Sequence, residues 1–292
     1  MQGGSEMSAT PVMEAPASLY KYLPSDRAAT VLRKLLIRFS QVSVLNDALE
    51  FKPPLKGVAT RPQLERVIND KIRQRFPDLV AAIERTYPQE IADRFVREVV
   101  SKGAQEAEDN FPKSVRTMYE KLDTNFGILS LSEIPTDTLM WAHYADGGRG
   151  FLIEFAPKHS WFWDKKQERD GFRHLRRVAY ASTRSEKYLL DATDDDYLYT
   201  KNHAWEYERE WRIIRNFNDA TVNCGQDGNG KDILLFAIPP DCVRAVTIGY
   251  KSSKESETEM RNIIAANPAL SHVVFNRAVL KENCSVVVVS GG

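Results

Sequence analysis

Residues 201–215, KNHAWEYEREWRIIR, place three glutamates, Glu206, Glu208 and Glu210, at alternate positions with aromatic residues among them. If this run is extended, Glu208 and Glu210 share a face with Arg212, because a strand points residues two apart to the same side. Neighbouring carboxylates repel each other, and their burial is costly unless they are paired. Arg212 or a positively charged ligand would provide the pairing. The alternative is a solvated polar face with the aromatic residues turned inward.

Two further clusters could contact a ligand. Tyr20, Lys21 and Tyr22 lie on a short predicted strand, where the rings offer a stacking surface and the lysine a donor for phosphate. Ser130 and Ser132 end another predicted strand, and small hydroxyl residues there can approach a ligand closely. The structural alternatives are an ordinary edge strand for the tyrosines and a turn that begins at Ser132.

A short predicted helix at 137–145 carries Trp141, His143 and Tyr144. At helical spacing, Trp141 and Tyr144 lie near one face, so an aromatic pair is expected to enter the core while His143 faces a cleft or solvent. A solitary histidine more often packs or forms hydrogen bonds than catalyses a reaction. No second histidine stands at ligand spacing, so the sequence predicts no metal site.

Residues 158–187 contain nine Lys or Arg against four Asp or Glu, interleaved with aromatic residues. Such a surface can follow a phosphate backbone and stack bases, although a solvated basic face explains the same composition. A nucleic-acid-acting factor could combine this surface with a magnesium ion held by Asp146, Glu154 or Glu208. Salt-dependent binding of DNA or RNA would be its signature.

The composition narrows the classes of protein. The chain has 292 residues, with 40 Lys and Arg balancing 40 Asp and Glu, so no global field attracts a polyanion or a membrane. Its three cysteines fit neither a disulfide framework nor a paired-thiolate zinc module, which favours a reducing cytoplasm. The N-terminus lacks the features of a signal peptide, and no stretch reaches the roughly 20 apolar residues of a spanning helix.

The elements predict an α+β fold with a mixed, mostly antiparallel β core. Residues 1–18 are expected to be a disordered lead-in, and 19–292 a single domain with a helical insertion at about 61–122. Prolines divide the insertion into several helices. Strands are predicted at 19–23, 38–44, 126–131, 151–155, 177–181, 210–215, 232–238, 243–249, 273–279 and 285–289, with a late helix at about 255–266.

The succession LYKYL, FSQVSVLND, ILSLSE, LMWAHYADGGRGFLIEF, KNHAWEYEREWR and IPPDCVRAVTIG resembles the bacterial family called domain of unknown function 2971, from about residue 19 to 280. The order of these motifs is more distantly similar to that of ADP-ribosyltransferases. Those enzymes carry an Arg or His on a first strand, a Ser/Thr/Tyr motif on a middle strand, and a catalytic Glu, often in an ExE pair, on a late strand. The resemblance implies split sheets around a bound NAD.

Carried onto this sequence, the resemblance makes Glu210 the carboxylate that stabilises the oxocarbenium ion formed when nicotinamide leaves the ribose. Glu208 would orient the nucleophile or contact the ribose hydroxyls, and Arg212 would hold the glutamates through an ion pair. Lys21 stands where the family has Arg or His and would meet the diphosphate. The remaining implied NAD-binding residues are Tyr20, Tyr22, Ser130, Ser132, Trp141, His143 and Tyr144, with a tyrosine stacking on nicotinamide.

The implied partners are NAD, as a substrate, and an unknown acceptor that is a protein or a nucleic acid. A different class of protein is also compatible with the residues. In a non-catalytic binding or sensory module, the Glu/Trp/Arg cluster would be a buried ionic network that holds the sheet to the helical insertion.

Overall fold

The computed structural model describes residues 15–47, 49–164 and 173–290. Most of the predicted lead-in, 1–14, and residues 165–172 of the basic stretch lie outside the described residues. The predicted α+β class with a mixed, mostly antiparallel sheet is confirmed.

The helices of the described residues are α1 (Ser25–Lys34), α2 (Arg61–Arg75), α3 (Pro77–Thr86), α4 (Gln89–Asp109), α5 (Phe111–Asn125), α6 (Thr138–Tyr144), α7 (Asp194–Leu198) and α8 (Lys254–Ala266). The strands are β1 (Leu19–Leu23), β2 (Leu36–Arg38), β3 (Leu55–Gly57), β4 (Phe126–Ser132), β5 (Phe151–Phe155), β6 (Arg176–Arg177), β7 (Ala179–Ala181), β8 (Lys187–Tyr188), β9 (Thr200–Asn202), β10 (Glu210–Asn216), β11 (Val222–Gln226), β12 (Asp232–Ala237), β13 (Val243–Ile248), β14 (Val274–Leu280) and β15 (Val286–Ser290).

The main sheet has eight strands in the order β15-β14-β13-β5-β1-β4-β10-β6. Only β13 and β14 run parallel in it, and the other neighbours are antiparallel. A three-stranded sheet, β11-β12-β2, and the parallel pairs β3-β8 and β7-β9 complete the strands. The strand of Tyr20 to Tyr22, β1, therefore lies inside the main sheet, and the alternative of an ordinary edge strand is wrong.

Alternation along the strands gives the main sheet two different faces. On β10, Trp211 and Ile213 enter the large apolar core, which α1 and α8 also line. Glu210 and Arg212 point to the other face, as expected from their spacing, and α6 packs on that face through the buried Trp141. The polar residues of β10 are thus held by a strand whose alternate residues anchor it in the core.

The predicted helical insertion corresponds to α2 to α5. Proline lies at the start of each of these helices: Pro62 and Pro112 lie in the first turns of α2 and α5, Pro77 is the first residue of α3, and Pro88 caps α4. Proline fits there because the first amides of a helix have no intrahelical partner. Thr60 and Gln63 form a capping box at the start of α2. The insertion ends at Asn125, slightly beyond the predicted boundary.

Two predicted strands are wrong. In the region 38–44, the strand β2 ends at Arg38 and Val42–Val44 form a 3-10 helix. The spacing of three between Phe39 and Val42 already breaks the two-residue period of a strand. The predicted strand at 177–181 is two short strands in different sheets, because β6 pairs with β10 and β7 with β9.

Candidate functional site

The main sheet opens between β1 and β4. These strands pair at a single position, Tyr20 opposite Ser132, whereas β1 pairs along its whole length with β5. In the gap, the ammonium group of Lys21 donates a hydrogen bond to the Ser130 carbonyl at 2.9 Å. A cleft of about 260 Å³ lies at this opening. The backbone groups that would otherwise form a β ladder are therefore available to shape a pocket.

Residues from four distant segments line this cleft. Tyr20, Ser132 and Glu210 occupy one row of the sheet, because Ser132 lies opposite both of the others. The lining residues are Tyr20, Lys21, Tyr22, Arg27, Ser40, Val44, Leu45, Asn46, Glu50, Ile128, Ser130, Leu131, Ser132, Met140, Tyr144, Lys201, Glu208 and Glu210. The structure thus brings the strand of Tyr20, the strand of Ser130 and the glutamates into one pocket.

The three glutamates do not lie on one extended strand, although β10 begins at Glu210 as predicted. His203–Glu208 form a 3-10 helix, Arg209 has a left-handed backbone with φ of 40°, and β10 starts at Glu210. The turn at Arg209 sends Glu208 and Glu210 to the same cleft although they belong to different elements. Glu206 is exposed, while Glu208 and Glu210 are 4% and 3% exposed, so a solvated face is excluded for the latter pair.

Glu208 and Glu210 belong to a buried ion network. Arg212 forms a bidentate ion pair with the Glu210 carboxylate: Nε donates to Oε1 at 2.6 Å and Nη2 donates to Oε2 at 2.9 Å. Lys201 bridges the glutamates, at 2.6 Å from Glu208 Oε2 and 3.3 Å from Glu210 Oε2. Arg212 also contacts the carboxylate of Glu50, which is 2% exposed. Charge pairing thus offsets part of the desolvation cost of these groups.

Tyr144 connects α6 to this network. Its hydroxyl donates to Glu208 Oε1 at 2.5 Å and accepts a hydrogen bond from the Asn46 amide. Glu208 therefore receives Tyr144 on one oxygen and Lys201 on the other, which fixes the carboxylate plane. Burial and the charge of Glu208 both raise the pKa of the Tyr144 phenol, so this hydroxyl stays protonated as a donor.

Burial shifts the acid–base properties of the cleft. It raises the pKa of Glu210 to about 7, aided by the charge of Glu208 and opposed by the Lys201 ammonium. Burial lowers the pKa of Lys21 to about 8, against the attraction of Glu210 and Glu208. Although burial lowers it, the two carboxylates raise the pKa of Lys201 overall. Glu210 and Lys21 are thus the groups closest to exchanging protons near neutral pH.

This shift predicts a pH dependence of stability. The pKa of Glu210 is raised from 4.5 to about 7 in the folded state. The contribution of Glu210 to the free energy of unfolding is therefore complete below the pKa of the unfolded chain and is lost as the pH rises through the pKa of the folded state. We expect the free energy of unfolding of the wild type to fall relative to Glu210→Gln across that interval. Urea denaturation at several pH values measures this difference. If the unfolding free energy of the wild type minus that of Glu210→Gln stays constant or rises with pH, the raised pKa of Glu210 is contradicted.

Several predicted ligand-binding residues have structural partners instead. Trp141 and His143, which the resemblance placed among the NAD-binding residues, do not line the cleft. Trp141 is completely buried and donates to the Pro135 carbonyl at 2.9 Å, whereas His143 is exposed. Ser132 and Tyr22 line the cleft, but the Ser132 hydroxyl donates to the Glu208 carbonyl at 2.7 Å and the Tyr22 hydroxyl donates to a backbone carbonyl at 2.6 Å.

The sequence did not indicate five of the charged or polar lining residues, one of which is Ser40. Lys201 opens the same motif as the glutamates, and its spacing of seven from Glu208 is not a recognisable signal. Glu50 and Asn46 come from the irregular segment after β2, and Arg27 from the exposed first turn of α1. Only the fold brings these residues to the cleft, because they come from three separate segments of the chain.

The acidic residues considered for magnesium do not converge. Glu208 lines the cleft, but Glu154 and Asp146 do not, and Glu154 accepts a hydrogen bond from Ser18 at 2.5 Å. Across 15–47, 49–164 and 173–290, no group of three or more His, Cys, Asp or Glu side chains is arranged to hold a metal ion. Among the same residues, no helix is both long and apolar enough to cross a membrane.

The profile of the family described as "Protein of unknown function (DUF2971)" matches residues 140–213. The matched segment contains Tyr144, Lys201, Glu208, Glu210 and Arg212, and so most of the ion network and its contact with α6. The resemblance to this family is confirmed over that segment. No curated protein and no solved structure matches the chain.

Proposed function

We propose that this protein cleaves the bond between nicotinamide and ribose in NAD, as an ADP-ribosyltransferase or an NAD glycohydrolase. The observation that supports this proposal is the placement of Tyr20, Ser130 and Glu210 around one cleft at the opening of the sheet. The buried carboxylates of Glu208 and Glu210 line this cleft, where they would stabilise positive charge on a bound ribose. The distant motif order and the geometry favour the same reaction.

In the proposed reaction, the bond from the ribose C1 to the nicotinamide nitrogen breaks, and its electron pair leaves with nicotinamide. The Glu210 carboxylate stabilises the positive charge that develops on the ribose, since a fixed charge in a desolvated cleft acts strongly. Glu208 accepts a hydrogen bond from a ribose hydroxyl or from the nucleophile. A water molecule then bonds to the ribose C1 and releases a proton to solvent, which gives ADP-ribose. An acceptor side chain or nucleotide that bonds there, also with loss of a proton, gives the transferred product.

The size of the cleft limits how NAD binds. At about 260 Å³ it lies below the range of roughly 300–1,000 Å³ typical of drug-sized ligands, so it suits the nicotinamide–ribose half. Lys21 is held inside the opening by the Ser130 carbonyl, which places it beside the glutamates. Arg27 is exposed and lines the mouth. We assign the diphosphate to Arg27 and expect the adenosine to extend over the surface.

The direct test incubates purified protein with NAD carrying a label on nicotinamide, with and without a cell lysate. Release of nicotinamide without a lysate supports a glycohydrolase, and a label transferred from adenine-labelled NAD to lysate components supports a transferase. The absence of both, over a range of pH that includes the pKa of Glu210, would exclude the proposed reaction.

The assignment of Arg27 gives a separate prediction. We expect Arg27→Gln to weaken NAD binding about tenfold, because a charge-assisted contact to a phosphate contributes on the order of 1.4 kcal/mol. Binding of nicotinamide riboside, which has no diphosphate, should not change. Arg33→Gln on the same helix is the matched control, since Arg33 pairs with Glu259 and does not line the cleft. Calorimetric titration of both ligands measures the difference.

A second candidate function is a non-catalytic binding or sensory module. The observation that favours it is the saturation of the Glu210 carboxylate, which receives Arg212, Lys201 and the Ser130 side chain. A carboxylate with this many donors can act as the centre of a structural network. In that case the cleft would bind a ligand without changing it, and substitutions in the network would lower stability alone.

A further inference from the structure

Helix α4 carries an exposed apolar stripe. Ile91, Phe95 and Val99 follow one another at intervals of four residues, so they lie along one side of the helix. They are 44%, 51% and 42% exposed. A different side of α4 packs on α2, where Ala104 and Leu64 are buried in one cluster. Single exposed apolar residues are ordinary, but a continuous stripe of this kind marks an interaction surface.

A row of charges borders the stripe. Glu90, Arg94, Glu98 and Lys102 also recur at intervals of four, and their signs alternate along the helix. All four are exposed, and none forms an ion pair with another residue in the described part of the chain. The row is therefore free to pair with charges of a molecule that covers the stripe.

When two copies of this row of charges are placed side by side in opposite directions, each charge faces one of opposite sign. A two-fold axis at the level of residue 96 would set Glu90 against Lys102 of a second copy and Arg94 against Glu98, with each pair made twice. The same arrangement inserts Phe95 between Phe95 and Val99 of the second copy, as in antiparallel helix packing. We infer that the surface formed by Glu90, Ile91, Arg94, Phe95, Glu98, Val99 and Lys102 docks the same surface of a second copy of this chain.

The contact area sets the expected strength. Phe76 and Leu79, 49% and 59% exposed, add apolar area at and near the start of α3, which packs on α4. An interface built on one helical stripe lies at the small end of specific interfaces. The dimer should therefore dissociate at concentrations on the order of 1–100 µM. This inference does not depend on the proposed reaction, because the cleft lies on the main sheet and not on α4.

Charge-reversal variants test whether a second copy of this chain binds the surface. In sedimentation experiments over a concentration series, Arg94→Glu and Glu98→Arg should each raise the dissociation constant at least about tenfold, because each creates like-charge contacts twice. An equimolar mixture of the two variants should recover association, because every facing pair is then of opposite sign. The double variant Arg94→Glu/Glu98→Arg should also recover it. A surface for a different partner would not show this recovery.

Apolar contact is tested with a matched pair of variants. Phe95→Glu should abolish association, while Leu190→Glu should leave it unchanged, since Leu190 is similarly exposed at 54% but lies outside the helical insertion. Circular dichroism confirms that each variant is folded. A wild-type chain that stays monomeric throughout the series would overturn the inference, as would a mixture of charge variants that fails to associate.

Discussion

Replacement of Glu210 by Gln is expected to lower the rate of nicotinamide release from NAD by at least about 100-fold, since loss of one fixed group that stabilises transition-state charge has an effect of this size. Glutamine keeps the shape of the side chain and removes its charge. Because the lost interaction belongs to the transition state, kcat should fall while KM stays similar. A steady-state assay of released nicotinamide measures both constants.

Glu206→Gln is the matched control for this experiment. Glu206 belongs to the same row of alternating glutamates, but it is exposed and does not line the cleft. We expect it to retain wild-type activity. If the wild type is active and Glu210→Gln keeps most of that activity when folded, Glu210 is not the stabilising carboxylate. Comparison with Glu208→Gln would then show whether Glu208, which has fewer donors around it, has that role.

Much of the fold follows from local signals in the sequence. The prolines that divide the helical insertion are reliable markers of helix boundaries, because proline is tolerated only where a helix starts or has ended. The alternation in β10 predicted that Glu210 and Arg212 share a face, and the structure confirms this. Such features depend on residues close together in the chain, so the sequence alone contains the information.

Other features of the site depend on contacts that no local pattern encodes. The left-handed conformation of Arg209 separates the 3-10 helix of 203–208 from β10, and alternation over 206–212 could not indicate this. Glu50 joins the network from an irregular segment, more than 150 residues before Arg212 in the sequence. The opening between β1 and β4 is a property of strand pairing. These features arise from tertiary structure, which overrides local preference.

The surroundings of Lys21 bear on the role predicted for it. Lys21 was expected at the diphosphate, but it donates to a backbone carbonyl in the gap of the sheet, and its burial lowers its pKa to about 8. An unpaired backbone carbonyl in that gap would be costly, and the lysine satisfies it. Arg27 lines the same cleft from the exposed first turn of α1, and we propose that it meets the diphosphate instead.

Arg212→Met is expected to cost about 3–5 kcal/mol in the free energy of unfolding, because removal of one partner leaves a buried charge uncompensated. Arg212 is completely buried, binds Glu210 with two hydrogen bonds, donates to the Leu198 carbonyl at 2.9 Å and contacts Glu50. Methionine fills a similar volume, so the loss reflects the charge and its hydrogen bonds rather than a cavity. Urea denaturation measures it.

Arg116→Met controls for the loss of an arginine as such. Arg116 pairs with Glu120 at 2.9 Å, but it is 82% exposed, and solvent screens that pair, so the change should stay within about 0.5 kcal/mol. Combining Arg212→Met with Glu210→Gln should cost less than the sum of the single changes, since the second substitution removes the charge that the first left unpaired. Strict additivity, or an Arg212→Met protein as stable as the wild type, would show that the network does not hold the sheet together.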